Sequence, residues 1–217
     1  MRIDRPPFSL YLITDRRLAK DGVAAACEEA LAAARMYRRF VAVQLREKDL
    51  TGRELLALAR ELRKICTAHG ALLLINDRID VALACDADGV HLPADSFSVR
   101  DARELLGTSK LIGCSTHTIA EVEAAGRAGA DFIVFGPVYD PISKSAYGPA
   151  AGVDALRAAC EASDIPVYAL GGITADRIAE LSDTGIAGVA VIGSVLGADS
   201  PADATRALLQ AISDHLG

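Results

Sequence analysis

One short segment brings two cations and an amide to the same side of the chain. Residues 41–49 read VAVQLREKD, and side chains alternate between the two faces of a β-strand. Gln44 and Arg46 therefore face the same way, and Lys48 continues that parity into the following loop. A guanidinium can bind a phosphate through two hydrogen bonds at once, and an ammonium adds a point charge. The segment predicts a cationic phosphate site. The alternative is a solvated rim on which both cations pair with the two acidic residues of the segment.

A carboxylate and an amide stand together at the end of another apolar run. Asn76 closes the run 71–76, and Asp77 follows it directly. Mg²⁺ keeps several waters and needs only one or two carboxylates plus the phosphates of a substrate. Asp77 is therefore predicted to ligate Mg²⁺. The alternative, which is compatible with the first, is that Asp77 caps the helix predicted over residues 79–84.

Glycines occur at two later points where a phosphate could approach the backbone. Gly171 and Gly172 end one apolar run, and Gly193 and Ser194 end another. Backbone N–H groups at such glycines, and at the start of a short helix from Ser194, would bind an anion. In an α/β barrel the loops after strands seven and eight are the usual phosphate site. The alternative is a tight turn and a helix cap.

The segment between these two regions is a long loop. Residues 136–149 read GPVYDPISKSAYGP, which is too long for a simple turn, and long loops in compact domains are usually functional. Ser143 and Lys144 are predicted to cover a bound phosphate, and the alternative is a lysine in an exposed loop. His91 and His117 are expected to have structural rather than chemical roles.

These residues are placed by an alternation of short apolar runs and helical patterns. Eight runs are predicted to be strands: residues 9–14, 41–46, 71–76, 89–92, 110–115, 131–136, 167–171 and 188–193. Helical patterns lie between them, for example over 23–38, 53–69, 119–128 and 202–215. The pattern predicts a single (β/α)₈ barrel domain over residues 1–217, with its site at the carboxyl ends of the strands. A doubly wound open sheet is the competing fold, and the count of eight favours the barrel.

Composition narrows the classes of partner. The chain has 217 residues, 51% of them hydrophobic, and a formal net charge of −6, which argues against nucleic acid or an anionic membrane as a partner. Its five cysteines are widely spaced without a C-x-x-C pair, as expected of reduced thiols in a cytoplasmic protein. Charged residues interrupt the start of the chain, and no stretch reaches the roughly 18 apolar residues of a membrane span, so neither a signal peptide nor a membrane segment is expected.

Taken together, the motifs resemble those of the thiamin phosphate synthases and the related thiazole tautomerases over nearly the whole chain. The resemblance is carried by YLITD (11–15), VQLREK (43–48), INDR (75–78), ADGVHL (87–92), IGCSTH (112–117), GAD (129–131), GPVY (136–139), SK (143–144) and ALGGI (169–173). It implies a barrel enzyme that couples a hydroxymethylpyrimidine diphosphate to a thiazole phosphate and releases pyrophosphate.

The resemblance also assigns residues to these two substrates. It implies that the pyrimidine diphosphate is held by Gln44, Arg46, Lys48, Asn76 and Lys144. Asp77 would ligate Mg²⁺, and Ser115 would lie beside the reacting groups. Gly172, Ile192 and Gly193 would bind the thiazole phosphate through backbone amides.

Three positions depart from the synthase pattern. In the loop predicted to cover the phosphate, Pro141 and Ser143 stand where the synthases have two threonines. The third position lies after strand four. The synthases have a second metal-binding aspartate after strand four, and a gapless match places Ser96 there. The stretch Pro93–Ser98 looks more like the tautomerase branch, whereas Pro137 after the glycine of strand six matches the synthases. Two alternatives to a synthase follow: a tautomerase-like paralogue that does not couple its substrates, and a non-catalytic thiamin phosphate binder. A homo-oligomer is possible in each case.

Overall fold

A closed barrel of eight parallel strands forms the centre of the protein. The structure is a computed structural model that describes residues 8–37, 41–140 and 149–216. The strands follow one another around the barrel in chain order, and β8 closes it against β1. The predicted (β/α)₈ fold is therefore confirmed. The assignment of residues 1–217 to one domain stays a prediction.

Each strand is followed by helical structure on the outside. The strands are β1 Leu10–Ile13, β2 Val41–Leu45, β3 Leu72–Asn76, β4 Gly89–Leu92, β5 Leu111–Thr116, β6 Phe132–Phe135, β7 Val167–Leu170 and β8 Gly188–Val191. The α-helices are α1 Val23–Ala34, α2 Gly52–His69, α3 Ile79–Ala84, α4 Val99–Leu106, α5 Ile119–Ala128, α6 Gly152–Glu161, α7 Gly193–Leu196 and α8 Pro201–His215. Two 3₁₀ segments, Arg35–Tyr37 and Ala175–Thr184, complete the described elements.

Side-chain caps set the starts of several helices. Thr51 and Glu54 form a reciprocal capping box at the start of α2, in which each side chain bonds the backbone N–H of the other residue. Ser98, Thr118 and Ser200 cap α4, α5 and α8 by accepting an N–H of the first turn. Prediction and structure differ by more than one residue at two ends. The helix expected over 23–38 becomes a 3₁₀ turn at Arg35, and the strand expected to reach residue 193 ends at Val191.

The core has an inner and an outer layer, as the alternation of β2 predicted. Val41, Val43 and Leu45 pack in the outer layer against the helices. Ala42 belongs to the inner layer, which is rich in aromatic rings. Four of these rings, from Phe8, Tyr11, Phe132 and Tyr168, contact one another inside the barrel with centroids 4.7 to 5.6 Å apart.

Aspartates placed just before two strands tie the amino-terminal side of the barrel together. Asp131, before β6, accepts hydrogen bonds from the backbone N–H of Ile112 (2.8 Å) and from Arg103 of α4 (2.6 Å). Asp88, before β4, makes the corresponding contacts with the backbone of β3 and an arginine of α2. These ion pairs lie on the opposite side from the strand ends that carry the predicted site, so we assign them to stability rather than to chemistry.

The described cysteines are all free thiols, and four of them are buried. Burial raises the pKa of Cys66 and Cys114 to about 12, so these thiols are protonated at neutral pH. Within the part of the chain that the structure describes, no helix is both long enough and apolar enough to cross a membrane.

Candidate active site at the carboxyl ends of the strands

We call the face formed by the carboxyl ends of the strands the barrel mouth. Its cationic side is formed by the residues at the end of β2. The backbone N–H of Arg46 donates to the buried hydroxyl of Thr14 (2.9 Å), which fixes the start of the loop after β2 to the end of β1. Arg46 is partly buried, whereas Lys48 is exposed. The sequence predicted that Arg46 and Lys48 lie on the rim formed by the loop after β2, and the structure places both residues in this loop.

The two acidic residues of the segment make their described contacts with Arg16. Glu47 is buried, and its two carboxylate oxygens both lie 3.1 Å from the backbone nitrogen of Arg16. Asp49 forms an ion pair with the Arg16 guanidinium at 2.7 Å. The alternative interpretation of the segment, in which these acids serve as partners of Arg46 and Lys48, stays open beside the predicted phosphate site.

Beneath this rim, polar side chains from four strands meet inside the barrel. Gln44 Nε2 donates to the Tyr11 hydroxyl (3.0 Å), which lies 3.5 Å from His91 Nδ1. His91 Nε2 lies 2.9 Å from Ser115 Oγ. Burial, with a smaller contribution from the charge of Arg46, lowers the pKa of His91 to about 3. The imidazole is therefore neutral at physiological pH. Its contact with Ser115 was not predicted from the sequence, because no local pattern links the two residues.

The predicted metal ligand lies between β3 and the loop after β4. Asp77 has a left-handed backbone (φ 66°), and its N–H donates to the His91 carbonyl (2.9 Å). The Ser96 hydroxyl donates a short hydrogen bond to Asp77 Oδ1. Position 96 is thus in contact with the carboxylate, as expected of a position at which the synthases have a second metal ligand. The residue at the N-cap of α3 is Arg78 rather than Asp77, so the predicted capping role is wrong.

The opposite side of the mouth is formed by the loops after β7 and β8. Gly171 and Gly172 both have positive φ (104° and 62°), a conformation that glycine adopts without strain. Arg177 donates to the Gly172 carbonyl (2.8 Å), and the Ser194 hydroxyl donates to the Ile173 carbonyl. Because the N–H and C=O of one trans peptide point in opposite directions, these bonds leave the N–H groups of the same two peptides, on Ile173 and Thr174, facing away from the two donors.

Ile192 and Gly193 complete this side. Ile192 precedes the four-residue helix α7, and Gly193 is its first residue and is exposed. The prediction from sequence was that this helix begins at Ser194, one residue later. The Ser194 hydroxyl donates to the Ile173 carbonyl, and the contact of the Ser194 backbone N–H with phosphate stays a prediction.

Two other predicted groups have different outcomes. Ser143 and Lys144 lie outside the described residues, so their predicted role stays a prediction. His117 Nδ1 lies 2.6 Å from the Gly136 carbonyl, a group that only accepts, so this nitrogen carries the proton. We assign His117 to holding the ends of β5 and β6 together.

The fold and the residues at its carboxyl-terminal face define a class: a (β/α)₈ barrel with two cations after β2 and glycine-containing loops after β7 and β8. Comparisons with known proteins identify the family. The family model described as thiamine monophosphate synthase matches residues 10–195. The chain belongs to this family.

Similar proteins agree with that assignment. A putative thiamine-phosphate synthase of Geobacter sulfurreducens is 50% identical over 203 residues, which cover 93% of each chain. A thiamine-phosphate synthase of Roseiflexus castenholzii is 40% identical over 199 residues, covering 92% of this chain and 86% of the relative. Among solved structures, a thiamine phosphate pyrophosphorylase from Pyrococcus furiosus superposes with a TM-score of 0.85 at 33% identity, covering 97% and 98% of the two chains.

Proposed function

We propose that the protein is a thiamin phosphate synthase that joins hydroxymethylpyrimidine diphosphate to thiazole phosphate and releases pyrophosphate. The observation that carries the proposal is the pairing, at one barrel mouth, of a cationic rim after β2 with an amide-lined rim after β7 and β8 in a member of this family. A reaction between two phosphorylated substrates needs an anion site for each, with the reacting atoms held between them.

The diphosphate belongs on the cationic side. Arg46 offers a planar fork of donors and Lys48 a mobile ammonium, and both lie where negative charge grows as the carbon–oxygen bond to the diphosphate breaks. Asn76 closes the neighbouring part of this rim, and Lys144 is proposed to approach from the loop after β6. Gln44 lies deeper, with its amide nitrogen on Tyr11, and its contact with substrate stays a prediction.

We infer a Mg²⁺ site at Asp77 that is completed by the substrate. In the described ranges, no three or more His, Cys, Asp or Glu side chains are grouped so that they could hold a metal ion. One carboxylate, with the Asn76 amide nearby, fits a Mg²⁺ ion that takes its remaining ligands from diphosphate oxygens and water. When bound, the ion would neutralise part of the leaving group's charge.

The thiazole phosphate belongs on the amide side. A Cβ at Gly193 would meet only Leu18 Cδ1, at 3.8 Å, so this glycine leaves the backbone open to a phosphate, whereas the Cβ side of Gly172 is occupied by the loop after β6. The bonds from Arg177 and Ser194 fix the carbonyls of the loop after β7. Backbone N–H groups held in this way can bind phosphate without a cationic side chain.

The bond changes follow from this placement. The bond between the pyrimidine methylene carbon and the diphosphate oxygen breaks, and its electron pair leaves with pyrophosphate. The thiazole nitrogen then donates its lone pair to that carbon. This nitrogen carries no proton, so no general base is needed, and the chain's contribution is to orient both substrates and stabilise the leaving charge.

The location and assembly of the enzyme are part of the same proposal. Small phosphorylated substrates, rather than nucleic acid or membrane, suit a chain with a net charge of −6. The free thiols, four of which are buried, suit a cytoplasmic setting. A homo-oligomer stays a prediction.

One assay tests the function directly. Purified full-length protein is incubated with both substrates and Mg²⁺, and thiamin phosphate and pyrophosphate are both quantified. The proposal expects the two products in equal amounts. Isomerisation of a thiazole substrate without coupling would instead identify the tautomerase branch, which the stretch Pro93–Ser98 resembles. Binding without any conversion would identify a non-catalytic binder.

A further inference from the structure

A chain of hydrogen bonds crosses the inside of the barrel and ends at its mouth. It joins Gln44, Tyr11, His91 and Ser115, from β2, β1, β4 and β5. The first three side chains are buried, and Ser115 at the end is partly exposed. Such a chain couples the inner layer of the core to a residue at the site.

The orientation of the Gln44 amide sets the direction of every proton in this chain. Because Gln44 Nε2 donates to the Tyr11 oxygen, the Tyr11 hydrogen is left for its other described neighbour, His91 Nδ1. A neutral imidazole has one N–H, so the proton lies on Nε2, which donates to Ser115 Oγ. The Ser115 hydrogen is then not used inside the chain, and because Ser115 is partly exposed at the end of β5, this hydrogen is available to an acceptor at the mouth.

The surroundings of the imidazole favour this neutral form. The rings of Tyr11 and Phe132 lie 5.8 and 6.1 Å from that of His91. A second proton on the ring would have to be buried among these groups, and it would leave the Tyr11 hydroxyl without an acceptor in the described chain. The reverse orientation of the Gln44 amide would reverse all the protons and turn Ser115 into a donor toward the core.

We propose that Tyr11 and His91 are positioning residues that hold the Ser115 hydroxyl as a hydrogen-bond donor aimed at an acceptor atom of the bound diphosphate substrate. A serine with a free hydroxyl rotates and serves as donor or acceptor, whereas this one is fixed as a donor before substrate arrives. Fixing a donor in advance removes a reorganisation cost from the reaction. The identity of the substrate rests on the proposed function, but the direction of the hydrogen bonds does not.

The first measurement needs no activity. The chain has four histidines, so ¹⁵N spectra of imidazole-labelled full-length protein can be assigned with a His91→Asn variant. We expect His91 to show the neutral tautomer protonated on Nε2, and Tyr11→Phe to weaken that preference by removing the donor to Nδ1. A tautomer protonated on Nδ1 in the unmodified protein would overturn the proposal, even if the protein makes thiamin phosphate.

The second measurement is a double-mutant cycle on turnover. Loss of one oriented hydrogen bond is worth about a tenfold change. We expect Tyr11→Phe to lower kcat by about that factor in the unmodified background, and by less than about twofold in a Ser115→Ala background. A role of Tyr11 in stability alone would give equal factors in both backgrounds, and that result would refute the coupling to Ser115.

Tyr168 provides a matched control. It is a fully buried tyrosine of the same inner layer, and its hydroxyl donates to the Phe8 carbonyl (2.8 Å) rather than to the chain. Tyr168→Phe therefore removes a comparable buried hydroxyl but should leave the His91 tautomer and kcat unchanged. If Tyr11→Phe fails to fold, the tautomer of the unmodified protein still decides the proposal. If no coupling activity is found while His91 is protonated on Nε2, it is the proposed function that fails.

Discussion

Replacing Ser96 with aspartate tests the metal site, because the Ser96 side chain already contacts the Asp77 carboxylate. Ser96→Asp removes a hydrogen-bond donor and places a second carboxylate within about 4 Å of the first. At an effective dielectric constant of about 20, two such charges repel by about 4 kcal/mol. Both positions are only partly buried, so solvent reduces this value, and we expect a net destabilisation of about 1–3 kcal/mol without metal.

Mg²⁺ should reverse that loss, because a divalent ion between two carboxylates turns repulsion into ligation. In a chelator the melting temperature should fall by about 3–10 °C relative to the unmodified protein. With Mg²⁺ and no diphosphate it should recover, whereas the unmodified protein should respond little. In the coupling assay, the Mg²⁺ concentration for half-maximal rate should fall by about tenfold, which corresponds to about 1.4 kcal/mol.

Ala94→Asp is the matched control. It adds the same charge to the same loop, at an exposed position two residues away. It should change neither the Mg²⁺ response of the melting temperature nor the half-maximal concentration. If Ser96→Asp shows no Mg²⁺-dependent recovery, or saturates at the same Mg²⁺ level as the unmodified protein, position 96 does not face the metal and another group supplies the missing ligand.

Three further predictions concern the two rims and the base of the barrel. Arg46→Ala and Lys48→Ala should each lower the coupling rate by about 10²-fold while leaving the melting temperature within a few degrees, and near-normal rates in both would refute the pyrophosphate site. Gly172→Val should lower both the melting temperature and thiazole phosphate binding by calorimetry, because a Cβ there would lie 2.7 Å from the Asp140 carbonyl oxygen and the backbone has positive φ; unchanged stability would contradict this account. Asp131→Ala should lower the free energy of unfolding, measured in urea, by about 2–4 kcal/mol and leave the catalytic constants of the folded enzyme unchanged. A loss of activity without a loss of stability would disprove the purely structural role of Asp131.

The strands and the cationic rim could be predicted from sequence because their signals are local. In β2 the alternation of apolar and polar residues has a period of two, so the inward direction of Gln44 follows without knowledge of any neighbour. Eight such runs separated by helical patterns leave few ways to arrange the chain. The ends of the strands and helices were less predictable. Gly193 was assigned to the last strand, although it begins α7, because a glycine after an apolar run fits either element.

The error about Asp77 has a clear physical origin. An aspartate shortly before a helix usually caps it, and that rule needs the aspartate to occupy the N-cap position with an extended backbone. Here the chain turns through a left-handed residue at Asp77, and the helix begins two residues later. The turn frees the carboxylate to meet Ser96, nineteen residues away in sequence. Such a contact leaves no periodic signal in the sequence.

The hydrogen-bonded chain beneath the mouth could not have been found from sequence for the same reason. Tyr11 and His91 are separated by 80 residues, and His91 and Ser115 by 24, and each by itself resembles an ordinary barrel-lining residue. Closure of the barrel brings β1, β2, β4 and β5 to one axis, and only there does the count of donors and acceptors give Ser115 a fixed direction. The two rims are proposed to bind phosphate groups, and their residues can be recognised in the sequence by type. The direction of a proton depends on which partners are already taken, and it therefore follows only from the assembled core.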